Sequence, residues 1–112
     1  MGYDLHITRA PDWTESEVFP ITRDEWLAYI RSDPELTPDP ESTPDPDSGD
    51  TFVLWTGSGR DPAPWFDWWR GEVKTKNPTR ATVAKMLQLA AHFGARVQGD
   101  EGEFYESPPP NW

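Results

Sequence analysis

The chain has 112 residues, no cysteine and a formal net charge of −10. Its length suits one domain spanning residues 1–112, able to bury roughly 60–70% of its unfolded surface, and the lack of cysteine removes disulfides and thiolate metal sites and fits an intracellular address. The start, Met-Gly-Tyr-Asp-Leu-His, has no basic region followed by an apolar run, and no stretch reaches the ~18 apolar residues of a membrane span, so a cytoplasmic protein away from membranes is expected.

The acidity is local. Residues 1–50 hold thirteen Asp and Glu against three Arg, whereas residues 51–112 hold seven acids against seven Lys and Arg. A negative field repels phosphate backbones and attracts cationic proteins, so nucleic acid is excluded as a direct partner and a basic protein is favoured.

Tyr3-Asp-Leu-His-Ile-Thr-Arg9 alternates apolar and polar side chains, placing Tyr3, Leu5 and Ile7 on one face and Asp4, His6 and Thr8 on the other, as in a half-buried strand. Ala10-Pro-Asp-Trp13 breaks it, and an acidic loop runs to Phe19. A helix then starts at Thr22: Thr22 and Glu25 have the capping-box spacing, and Ile21 is placed to staple against Trp26. Trp26, Leu27 and Ile30 make its apolar stripe, and Pro34 forces a stop near Ser32. Residues 33–50 hold five prolines, seven acids and one large apolar side chain, Leu36, a composition that predicts an extended, disordered acidic loop.

Thr51-Phe-Val-Leu-Trp-Thr56 reads as a strand, and Trp65–Trp69 and Glu72–Lys76 as a hairpin turning at Arg70-Gly71. Asn77 and Pro78 supply an N-cap and a first helical position. Val83, Met86, Leu87, Ala90 and Gly94 then recur at helical spacing, and Gly94 also fits the left-handed position that ends a helix. Residues 95–106 form two short strands about a glycine-bearing turn, and residues 107–112 a short proline-rich tail. Together these predict an α+β fold, an antiparallel sheet of four to six strands with two helices packed on one face, in a ferredoxin-like split βαβ layout.

No motif for chemistry is complete. Asp45-Pro-Asp-Ser-Gly-Asp50 starts like a calcium loop but has its glycine one position early and Thr56 at the twelfth position. Asp4, His6 and His92 lack a third neutral metal ligand, Gly57-Ser-Gly59 puts proline where a dinucleotide loop needs glycine, and no Gly-x-Ser-x-Gly elbow exists. No catalytic residue, cofactor or metal ligand is assigned. What stands out is aromatic: Trp55, Trp65 and Trp68 lie in strands, with Trp65 and Trp69 on one face and Trp68 on the other. Rings left on the face away from the helices would form a docking surface. Trp55, Trp65 and Trp68, with Asp100, Glu101 and Glu103 of the last turn, are the candidate partner-binding residues.

Two stretches carry a resemblance. Tyr3-Asp-Leu-His-Ile-Thr-Arg9, and Lys76-Asn-Pro-Thr with Lys85-Met-Leu-Gln-Leu-Ala-Ala and Val97-Gln-Gly-Asp-Glu-Gly-Glu103, resemble a set of small uncharacterised bacterial proteins of the size and character of immunity proteins of toxin systems. The resemblance implies an immunity-like protein and carries over no activity residue; the local acidity, the aromatic-rich sheet and the lack of a catalytic set point to a non-enzymatic binding domain that neutralises a basic toxin. The competing expectation is a small-molecule-binding domain or minor enzyme with a pocket lined by Trp55, Trp65 or Trp68 and with His6 and Asp4 at its rim. A homodimer through the open sheet face or an edge strand is a third.

Overall fold

The structure, a computed structural model, describes residues 3–38, 52–60 and 63–108. Nine elements follow one another: β1 (Asp4–Thr8), α1 (Arg23–Ser32), β2 (Leu36–Pro38), β3 (Phe52–Trp55), β4 (Trp65–Trp69), β5 (Glu72–Lys76), α2 (Arg80–Phe93), β6 (Arg96–Gly99) and β7 (Phe104–Tyr105), with short 3₁₀ turns at Trp13–Glu15 and Thr56–Ser58. The strands form one seven-stranded sheet in the order β2-β3-β4-β5-β1-β6-β7, every pair antiparallel.

The class is α+β, as expected, but the strand count exceeds four to six. Around the centre, β1 and β4 are separated by β5, and β5 and β6 by β1, the interleaving of split βαβ units. With β2, β3 and β7 added on both sides, the sheet does not establish a ferredoxin-like fold.

Register assigns the two faces. Ile7 lies opposite both Val73 and Val97, Leu5 opposite Thr75, Val73 opposite Trp68, and Val53 opposite Phe66. These share the face that α1 and α2 cover, because Leu5, Ile7, Val53, Phe66, Val73 and Val97 join Trp26, Tyr29, Ile30, Val83, Met86, Leu89 and Phe93 in a single core. Phe93 ties the helices together, 6.1 Å from Trp26 and 5.5 Å from Tyr29 between ring centroids. By alternation, His6, Lys74, Asp67 and Gln98 point to the reverse face.

The start of α1 follows its sequence signal. The Thr22 side chain accepts from the Glu25 backbone N–H and the Glu25 carboxylate accepts from that of Thr22. Glu25 also takes a two-pronged ion pair from Arg9, with Nη1–Oε1 at 2.8 Å and Nη2–Oε2 at 2.5 Å. The Arg9 bond, then that of Thr22, hold its carboxyl down to about 2. Thr22→Ala is expected to destabilise the protein by about 1 kcal/mol, read as a lower urea midpoint at unchanged slope.

The start of α2 corrects the sequence reading. Thr79, not Asn77, is the N-cap, accepting from Thr82 N–H, and the helix begins at Arg80. Asn77 has a positive φ of 50° and is tied to β1 instead: its N–H bonds Tyr3 O at 2.9 Å and its Oδ1 accepts from Tyr3 N–H at 3.1 Å. The buried stripe of α2 also contains Leu89, Phe93 and a lysine, Lys85, while Leu87 is half-buried and Gly94, at φ 61°, serves as the left-handed cap alone. At Arg70-Gly71 both residues have positive φ, 47° and 90°, as a two-residue hairpin turn with the right twist requires.

Residues 33–38, expected to open the disordered acidic loop, are structured. Asp33 closes α1, and Leu36–Pro38 is an edge strand whose Leu36 is buried. The remainder of the expected loop, 39–50, lies outside the described residues, as do Thr51 and tail residues 109–112.

Candidate functional site

Among the described residues, the reverse face divides into a covered half and an open half. Over β1 and β6, the segment following β1 folds back: Trp13 N–H donates to Gln98 Oε1 at 2.6 Å, and the hydroxyls of Thr8 and Ser16 meet at 2.7 Å. The Trp13 indole lies flat on the His6 imidazole, 4.1 Å between centroids and 1° between planes. Residues 10–19, expected to be only a break and a loop, therefore act as a flap, and His6 is buried beneath it instead of standing at a rim.

His6 sits between two carboxylates. Its Nδ1 is 2.5 Å from Glu72 Oε1 of β5, and its Nε2 is 2.8 Å from Asp100 Oδ1 in the β6–β7 turn. Burial alone opposes a charge on the ring, but the hydrogen bonds and charges of Glu72 and Asp100 outweigh it and raise the imidazole pKa above its ordinary value. Asp100 moves the other way: burial is overcome by bonds from His6 and from Asp4 N–H, which hold its carboxyl below the usual range. Both ring nitrogens are thus bonded to carboxylates, and one face of the ring is covered. With both nitrogens engaged, neither is open to a metal or a substrate. No group of three or more His, Asp or Glu suited to a metal occurs among the described residues.

Beside this cluster lies a cleft of about 190 Å³ lined by Trp13, Thr14, Ser16, Glu17, Trp69, Arg70 and Glu72. Glu72 is only 7% exposed. The guanidinium of Arg70 rests 5.2 Å from the centre of the Trp69 ring, with Nη1 3.5 Å from Glu17.

The open half lies over β3 and β4. Alternation puts Phe52, Leu54, Trp65, Asp67 and Trp69 on this face. Phe52 and Trp65 stack at 5.2 Å, both half-buried, and Trp69 is 41% exposed.

The candidate partner-binding residues are accordingly dispersed. Trp65 stands on the open face. Trp68 and Trp55 share the helix side, half-buried against the core, with indole N–H groups donating to Ile21 O at 2.8 Å and Glu35 Oε1 at 3.2 Å. The three tryptophans therefore do not line one pocket. Asp100 is occupied by His6, and Glu103 accepts from the hydroxyls of Tyr3 and Tyr105, whereas Glu101 is exposed. The sequence reading missed Trp13, Trp69 and Glu72 as site residues. Hairpin pairing already places Trp69 opposite Glu72, on the face of His6, but the approach of Trp13 depends on a loop without periodicity.

No helix among the described residues is long and apolar enough to cross a membrane. Comparison with known proteins finds no family model that matches the chain and no match among curated proteins or solved structures.

Proposed function

We propose that the chain is a non-catalytic protein-binding domain that docks a basic partner on the open half of the sheet, a toxin-neutralising immunity-like protein being the sharpest form of that reading. The observation that supports it is the row Phe52, Leu54, Trp65 and Trp69, partly exposed on neighbouring strands away from both helices. Aromatic side chains on a rigid sheet are the residue type that anchors protein interfaces. The net charge of −10 supplies the complementary field for a basic partner and predicts fast association at low salt that weakens as salt rises. His6, the one histidine beside the cleft, is engaged at both nitrogens, which speaks for binding and against acid–base chemistry there.

The test is co-expression with the neighbouring genes of the source genome, purification at low ionic strength, and measurement of affinity for the basic protein that co-purifies. Trp65→Ala with Trp69→Ala is expected to weaken that complex by about 30-fold or more, the effect of losing one interface hot spot, with the circular dichroism of the free domain unchanged. A complex untouched by the double variant, or an acidic partner, overturns the reading. So does a concentration-dependent homodimer that the double variant dissolves, since a second copy would then occupy the face.

A further inference from the structure

We propose that the cleft between Trp13 and Trp69 is a receptor for a guanidinium group, the side chain of an arginine on the basic partner. The identity of that occupant rests on the docking reading above; the cation preference rests on the cleft itself.

Three features define the site. Two tryptophans line it: Trp13, with one face of its indole spent on His6, and Trp69, which is 41% exposed. Its lining includes the carboxylate of Glu72, more than nine-tenths buried, with Oε1 committed to His6 and Oε2 without a hydrogen-bond partner among the described residues. At its rim, Glu17 and Trp69 already hold a guanidinium, that of Arg70, whose side chain is 67% exposed.

The charges choose the sign of the ligand. In the cleft and the cluster behind it, three carboxylates, Glu17, Glu72 and Asp100, stand against Arg70 and the His6 ring that Glu72 and Asp100 share. An anion would confront a buried carboxylate that has already lost most of its water, whereas a cation gains both that carboxylate and the negative faces of the rings. Arginine fits better than lysine, because a planar guanidinium can stack on indole while its edge bonds a carboxylate, which a compact ammonium cannot do. Arg70 competes for the same charge, so removing it should help the incoming cation.

The test titrates the full chain with Nα-acetyl-arginine amide, with the lysine analogue, and with the uncharged citrulline analogue, following the indole N–H resonances by NMR. The arginine probe is expected to shift the Trp13 and Trp69 signals, to bind at least tenfold more tightly than the citrulline probe and more tightly than the lysine probe, and to tighten a few-fold in Arg70→Gln. Glu72→Gln should weaken it tenfold or more. Because that change also touches His6, Trp69→Ala, on an exposed ring, provides the second variant and should weaken it as well. Equal response to the arginine and citrulline probes, or binding indifferent to both variants, overturns the site even if the partner complex still depends on Trp65. Probe binding with the expected preferences, beside a partner complex that ignores Glu72→Gln and Trp69→Ala, keeps the cation site and removes its assignment to the partner.

Discussion

Replacing Lys85 by methionine is expected to destabilise the protein by about 3–5 kcal/mol, the cost of stranding a buried carboxylate when its counter-ion is removed. Lys85 lies in the middle of α2, 3% exposed, with Nζ 2.8 Å from Asp33 Oδ2 and 2.8 Å from Glu35 Oε1. Burial works against its charge, but the bonds to Asp33 and Glu35 prevail and raise its pKa above the ordinary lysine value. For Asp33, burial is likewise overcome, by Lys85 first and then by the Tyr29 hydroxyl at 2.8 Å, leaving the carboxyl below its usual range. Methionine fills the volume of the lysine stem and keeps helix propensity, so the loss measures the charge. Adding Asp33→Asn removes the stranded charge and should restore a large part of the stability, giving a coupling of about 1–3 kcal/mol in a double-mutant cycle. The pH dependence has a definite sign. The depressed Asp33 pKa stabilises above the unfolded aspartate value of about 3.9 and fades as pH falls through the folded value. The raised Lys85 pKa stabilises up to the unfolded value near 10.4 and fades only as pH rises through the folded one. Urea unfolding at neutral pH decides the matter: a Lys85→Met variant within 1 kcal/mol of the parent would show that the pair is not a structural tie.

Lys85 also marks where sequence reading stops. Thr22, Glu25 and Gly94 were legible because their roles are fulfilled within one or two helical turns, and the hairpin from Trp65 to Lys76 because its pattern and turn are contiguous. Lys85 reads as one more polar helix position, and only Asp33 and Glu35, some fifty residues earlier, make its burial tolerable. Those two acids were hidden in turn by the proline-rich composition around them, which also hid β2. At α2 two valid local signals disagreed: Asn-Pro is a good helix start, yet Asn77 is needed in a left-handed conformation to close on Tyr3, so Thr79 takes the cap. The cleft shows the same limit. Strand alternation carries Trp65, Trp69, Glu72 and His6 to one face, but nothing local states that Trp13 will return to lie on His6.

That return underlies the second large effect. His6→Ala is expected to cost about 3–5 kcal/mol, because it leaves Glu72 buried without its counter-charge and removes the surface on which Trp13 rests. The groups facing the ring are Glu72 of β5, Asp100 of the β6–β7 turn, Trp13 and Asp12 of the flap, and its register neighbours Lys74 and Gln98. Burial opposes the charge, but the two carboxylates prevail over it, so the folded pKa lies above the unfolded histidine value of about 6.5. A raised histidine pKa means that its contribution is complete below about pH 6.5 and is lost as pH rises through the folded value. Asp100 acts in the opposite sense: its depressed pKa stabilises above about pH 3.9 and is lost as pH falls through the folded value. The cluster is therefore firmest in mildly acidic solution and loosens on the alkaline side, where Glu72 loses its cationic partner. Urea midpoints measured from pH 5 to pH 9 should fall with rising pH in the parent, and His6→Ala should flatten that limb while lowering the acid plateau. Parallel profiles would mean that the buried ring carries no charge, and the negative balance assigned to the neighbouring cleft would need to be redrawn.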